Sequence, residues 1–264
     1  MFIQQEMTKT NTTLVTRRQR LVNHLVQVII TIFSNIFFNL FFKVIVEDEE
    51  HVRKQKYGPF IYASNHVSEL DSLLLRAVLP IFNKKSTLFT VCRKNKEYDW
   101  QGWRKFVYGD WIFRMIGAYP AIKGTRNYAK SLKTFVDIGK SKQTILIFIG
   151  GRQRSAHEAI KNRGGTAYLS WTTGLPVVPV AISGTYKLSY WKIFFGRQKI
   201  VVRFGKPVPR DALFKGIEKK SEKFSLASAR VTEEIHSMMQ KNALLTQEVK
   251  LVVEKNKLQP VSNI

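Results

Sequence analysis

Ser64-Asn65-His66-Val67-Ser68-Glu69-Leu70-Asp71 follows directly on the apolar run Phe60-Ile61-Tyr62-Ala63 and leads into Ser72-Leu73-Leu74-Leu75. The apolar run reads as a short strand. Ser68-x-x-Asp71 ahead of the leucines is a capping-box pattern, the mark of a helix start. Strand, turn and helix in immediate succession place the turn at the carboxyl edge of an α/β sheet, where such folds bind ligands. His66 and Asp71 are five residues apart. On a regular helix their side chains would diverge by roughly 140°. They meet only if His66 lies in the turn and Asp71 in the first helical turn. A histidine held by a carboxylate is the chemistry for taking a proton from a hydroxyl. The competing reading makes Ser68 and Asp71 helix caps and His66 an incidental loop residue. His-x4-Asp alone does not separate the two.

Outward from this stretch, short apolar runs recur at Val44 to Val46, Leu88 to Val91, Ile145 to Ile149, Val177 to Ile182 and Ile200 to Phe204. The runs at Ile145 and Val177 are apolar throughout, as expected of strands covered on both faces. Helical patterns lie between them at Ser72 to Leu79, Tyr128 to Ile138 and Ala159 to Thr173. The alternation predicts an α/β fold with a mostly parallel central sheet flanked by helices. Phe224, Ala227, Val231, Ile235 and Met238 step by three and four, predicting an amphipathic C-terminal helix. The expected organisation is a membrane-associating segment over 1–43, one domain over 44–246, and a polar, frayed tail over 247–264.

Lys and Arg number 43 against 19 Asp and Glu, a net charge of +24. Such a surface attracts anionic lipid, nucleic acid or acidic substrates. Cys92 is the only cysteine, which excludes an intramolecular disulfide and a cysteine-rich zinc site. Leu25 to Phe42 carries no formal charge over 18 residues, about 27 Å of helix. His24, Gln27, Thr31, Ser34, Asn35 and Asn39 form a polar stripe along it, opposite a broad apolar face. With Arg17, Arg18 and Arg20 before it and Lys43 after it, this reads as an amphipathic helix lying in the interface on anionic headgroups. A tilted span and a buried core helix are the alternatives. Two clusters mix aromatics with cations, as suits the headgroup layer. One holds Trp100, Trp103, Trp111 and Phe113, the other Tyr186, Tyr190, Trp191, Phe194 and Phe195. A nucleic-acid-binding protein would explain the charge but not the apolar N-terminal helix.

Asn65-His66-x-Ser68-x-x-Asp71 resembles the first motif of the glycerolipid acyltransferases, the family typified by 1-acylglycerol-3-phosphate acyltransferase. Three further blocks appear in that family's order. Gly117-Ala118-Tyr119-Pro120-Ala121-Ile122-Lys123-Gly124 is similar to the second, with Lys123 where an arginine is common. Phe148-Ile149-Gly150-Gly151-Arg152-Gln153-Arg154-Ser155 falls at the third, usually F-P-E-G-T-R-S. Leu175-Pro176-Val177-Val178-Pro179-Val180 resembles the fourth, a proline-bearing strand. Between the last two, Lys161-Asn162-Arg163-Gly164-Gly165 resembles the family's basic-glycine segment. The likeness spans residues 44 to 208.

The resemblance implies a membrane-associated enzyme that moves a fatty acyl group to the hydroxyl of a lysophospholipid or glycerol-phosphate-type acceptor. The donor would be the thioester of acyl-CoA or acyl-carrier protein, a co-substrate; neither a cofactor nor a metal is required. His66 would be the general base and Asp71 would hold its tautomer. Lys123, Gly151, Arg152 and Arg154 would bind the acceptor phosphate through cations and N–H donors. Asn65, Ser68, Gly150, Ser155 and Pro179 would support the motifs. Anionic membrane lipids are the expected partners and nucleic acid is not. The expected location is the cytoplasmic face of a membrane, the bacterial inner membrane or its equivalent. One departure stands out: Gly150 occupies the place of the family's glutamate and Ile149 that of its proline. This admits a non-standard lipid acceptor, or a catalytically weak lipid-binding homologue.

Overall fold

A computed structural model describes residues 15–80, 87–92, 110–122, 127–149, 163–186, 188, 198–218 and 222–257. Its centre is a seven-stranded sheet: β1 (Lys43–Glu47), β2 (Ile61–Ser64), β3 (Leu88–Cys92), β4 (Ala118–Pro120), β5 (Thr144–Phe148), β6 (Val177–Ser183) and β7 (Lys199–Phe204). The strand order is β1-β7-β6-β2-β5-β3-β4. Every neighbouring pair is parallel except β6 with β7. The α/β class and the mostly parallel sheet are therefore as the sequence predicts. The six apolar runs read as strands all are strands. β4 is the additional one: three residues at the sheet edge that end on Pro120. An edge is where a proline costs the ladder least.

The helices are α1 (Arg17–Phe41), α2 (Glu50–Arg53), α3 (Asp71–Val78), α4 (Asp110–Met115), α5 (Tyr128–Ser131), α6 (Lys133–Lys140), α7 (Gly165–Thr173), α8 (Arg210–Phe214) and α9 (Lys223–Lys257). Tyr128 to Ile138 is not one helix; the chain breaks at Leu132, whose ψ is 17°. α7 starts at Gly165, not at residue 159; 159–162 lie outside the described residues. α9 runs on to Lys257, past residue 247 where the sequence suggests a frayed tail.

The period-two alternation of the strands divides the core between two faces. Ile61, Ala63, Ile145, Val177 and Ala181 face one layer, formed by α6, α7 and α9 with Phe135, Ile138, Leu169, Val231 and Ile235. Tyr62, Leu146, Val178, Val180 and Ile182 face the other, formed by α1 and α3 with Phe38, Phe42, Leu74 and Leu75. The segment before residue 44 thus contributes to the same core as the residues after it.

α1 has its polarity turned inside out. Most of the polar stripe turns inward: Gln27, Thr31 and Ser34 are buried, as is the neighbouring Asn23, His24 and Asn35 are half-buried, and Asn39 is exposed. The Gln27 amide donates to the carbonyls of Leu88 (2.7 Å) and Ile116 (2.8 Å) and accepts from the Leu88 N–H (2.9 Å). Asn23 donates to the carbonyls of Arg114 and Met115. Arg76 of α3 is buried and donates to Thr31 Oγ1 (2.7 Å) and Gln27 Oε1 (3.3 Å). Burial pushes its guanidinium down to about 10. Gly117, at φ 81°, makes room for this network: a Cβ there would stand 2.7 Å from Gln27 Nε2. The opposite face exposes Leu21, Leu25, Ile29, Ile32, Phe33, Ile36 and Leu40. The sequence shows the stripe but suggests that it meets headgroups; in the structure it meets protein.

Candidate active site

β2 ends at Ser64, at the carboxyl edge of the parallel strands, and the next residue is tied down on both sides. The Asn65 side chain donates to the Ile182 carbonyl (2.8 Å) and accepts from the Ile182 N–H (2.8 Å). A carboxamide bonded to both groups of one strand residue acts as a further rung between β2 and β6. The chain then turns over Val67 to Leu70, and α3 opens with Asp71. Both the turn and the helix start are therefore where the sequence puts them. The capping box is only half formed. Asp71 Oδ2 accepts from the Ser68 N–H (2.9 Å), as the box requires, but Ser68 Oγ accepts from the Leu70 N–H (3.2 Å) instead of closing the reciprocal bond.

This geometry brings His66 and Asp71 together: His66 Nδ1 lies 2.9 Å from Asp71 Oδ2. Asp71 is completely buried, whereas the His66 side chain keeps 21% of its surface exposed. The same carboxylate oxygen accepts from the Val67 N–H (2.8 Å), and Oδ1 accepts from Thr185 Oγ1 (2.8 Å). Two backbone donors and a hydroxyl fix a carboxylate as an acceptor. Nδ1 must therefore carry the proton it shares with Asp71, and the lone pair is left on Nε2. The imidazole lies flat against Phe148, at the end of β5, with ring centroids 4.2 Å apart and planes inclined by 21°. Phe148, Leu70 and Leu188 pack with Phe37 and Phe41 of α1 against the same apolar core. One side of the imidazole is thus continuous with the layer that carries the exposed apolar face of α1.

Pro179 lies in β6, in register with Ala63 of β2. On its other side the ladder with β7 has loosened: Val180 pairs with Phe204 but Val177 with Val208. The Pro179 carbonyl accepts from the Gly205 N–H there (2.8 Å). A proline is tolerated in an interior strand at such an irregularity. Lys123, Gly150, Gly151, Arg152, Arg154 and Ser155 lie outside the described residues, so the expected phosphate site does too. Of the aromatic clusters, Trp111 and Tyr186 are exposed, while Trp100, Trp103, Tyr190, Trp191, Phe194 and Phe195 lie outside the described residues. Sequence reasoning missed Thr185 and the stacking role of Phe148. The first is 114 residues from Asp71 in the chain. The second stands in the sequence only as the opening residue of the third block, with nothing local to pair it with His66.

A profile of the Acyltransferase family matches residues 43–183. That is more than half of the chain, and this protein belongs to the Acyltransferase family. Among solved structures it is similar to PlsC from Thermotoga maritima, a 1-acyl-sn-glycerophosphate (LPA) acyltransferase, with a TM-score of 0.57 and 21% identity. The match covers 85% of this chain and 84% of that one. At this identity the likeness speaks for the fold. No curated protein sequence matches significantly.

Proposed function

We propose that the protein transfers a fatty acyl group from the thioester of acyl-CoA or acyl-carrier protein to a hydroxyl of a lysophospholipid or glycerol-phosphate-type acceptor, at a membrane surface. The observation that carries this reading is the 2.9 Å contact between His66 Nδ1 and a buried, fully hydrogen-bonded Asp71. His66 Nε2 takes the proton of the acceptor hydroxyl as its oxygen attacks the thioester carbonyl. The tetrahedral intermediate collapses, the C–S bond breaks, and the thiolate leaves with the proton that the imidazolium returns. Asp71 stabilises the imidazolium in between. A positioned base of this kind contributes roughly 10²–10⁴-fold. A thioester is a good acyl donor, so neither metal nor cofactor is needed.

The exposed apolar face of α1 supports the membrane part of the reading. Seven large apolar side chains lie along it, and the net charge of +24 favours an anionic lipid surface. Lys123, Gly151, Arg152 and Arg154 are the proposed phosphate ligands, by their place in the family's motifs. A soluble donor and a lipid acceptor meet in this reading on the cytoplasmic face. Gly150 in place of the family's glutamate favours a second possibility for the acceptor, a lipid with a different head group. The test offers purified enzyme radiolabelled acyl-CoA and acyl-carrier protein with a panel of lysolipids. Acylation of lysophosphatidate alone supports the standard acceptor; acylation of another lysolipid in its place supports the second. No labelled product with any pairing contradicts the proposal.

A further inference from the structure

We infer that Thr185 is a positioning residue of the reaction, holding Asp71 so that His66 keeps its proton on Nδ1. The inference rests on His66 being the base. Asp71 Oδ2 already has three partners, in His66 Nδ1 and the N–H groups of Val67 and Ser68. Among the described residues, Oδ1 has one hydrogen-bond partner, Thr185 Oγ1 at 2.8 Å. Both residues are buried, so water does not readily replace that bond. A buried carboxylate oxygen left without a donor is costly. Without the hydroxyl, the Asp71 carboxylate would rotate to share its remaining donors between two oxygens. The plane that aims Oδ2 at Nδ1 would then be lost.

The chain around Thr185 is built to present it. Gly184 has φ 94°, and a Cβ there would stand 2.2 Å from the Lys199 carbonyl oxygen. Only glycine allows the backbone to leave β6 so close to β7 and turn back towards α3. The Gly184 carbonyl accepts from Gln198 Nε2 (2.8 Å), which pins that peptide. Two residues earlier, Ile182 is clasped by the Asn65 side chain. The end of β6 is thus fixed to the residue before His66 and to the carboxylate behind it. The segment that follows the fourth motif is joined to the first motif beside the dyad by two side chains, Asn65 and Thr185.

Thr185→Val removes the donor and keeps the shape. With the donor and acceptor that wild type turns over, kcat is expected to fall about 10- to 100-fold. KM and the unfolding temperature should change little, and Thr185→Ser should restore most of the rate. A spectroscopic signal follows the same bond without turnover. In protein labelled with ¹⁵N-histidine, the Nδ1–H resonance of His66 should move in Thr185→Val and return in Thr185→Ser. Where the valine variant does not fold, Thr185→Ala carries the same comparison. A kcat within about three-fold of wild type with an unmoved resonance overturns the inference. So does a loss that serine fails to restore, since that would be a packing effect. A His66→Ala enzyme that still turns over would instead bring down the proposed base. An inactive His66→Ala beside a fully active Thr185→Val would sink only the role of Thr185.

Discussion

Among the described residues, each hydrogen-bond partner of the Asp71 carboxylate is a donor: two backbone N–H groups, a threonine hydroxyl and the imidazole. That arrangement serves a base better than a helix cap, because a cap needs only the N–H contacts. It supports the proposed base over the helix cap, the two readings that His-x4-Asp leaves open. The half-formed capping box is the local sign of it: Asp71 directs one oxygen at His66 as well as at the turn. Phe148 supplies the remaining constraint, a flat surface 4.2 Å from the ring. Aromatic contacts of this kind contribute on the order of 1 kcal/mol. Phe148→Ala should therefore lower kcat by about three- to ten-fold in a folded enzyme, as steady-state kinetics with circular dichroism would check. Phe148→Leu, which keeps apolar bulk without the ring face, should fall between. An unaltered kcat in both variants would make the stack incidental.

The helix that departs most from expectation is α1. Its stripe of polar residues at three- and four-residue steps is plain in the sequence, and so is its length. Which face turns inward is not, because periodicity reports that two faces differ and leaves their surroundings open. The missing information is long-range. Gln27 meets Leu88, Ile116 and Arg76, residues 61, 89 and 49 positions away. Gln27→Leu makes α1 more apolar, yet it should destabilise the protein by about 3 kcal/mol. It leaves the Leu88 N–H and the carbonyls of Leu88 and Ile116 buried without this partner. Thermal unfolding in detergent would measure this. A neutral or stabilising Gln27→Leu would be the behaviour of a lipid-immersed span and would contradict the docked helix. The same contrast of local and distant signals explains the rest of the fold. Fully covered strands such as Val177 to Ser183 announce themselves by apolar runs. β4 is three residues long and ends in proline, below the length at which a pattern can form. Tyr128 to Ile138 keeps helical spacing across a break that only packing reveals. In the site, His66 and Asp71 were legible because they are neighbours in the chain. Thr185 was not, because a sheet crossover brings it there.

At the scale of the whole molecule, two features point towards a membrane: a net charge of +24 and the outward apolar face of α1. They act at different ranges. The charge draws the protein to an anionic surface and weakens with salt, whereas apolar insertion does not. Replacing Phe33 and Ile36, which are 69% and 58% exposed, together by glutamate should reduce vesicle co-sedimentation at high salt about ten-fold or more, with the fold intact. Release of the wild type by salt alone would favour a peripheral, purely electrostatic contact, as a nucleic-acid binder would make. The proposed chemistry rests on one nitrogen, Nε2 of His66. Purified wild type and His66→Ala, matched for folding, should be compared for transfer of a labelled acyl group from its thioester donor to lysolipid. The variant should retain about one part in 10²–10⁴ of the wild-type rate, or less. A His66→Ala enzyme that transfers acyl groups at close to the wild-type rate would contradict it.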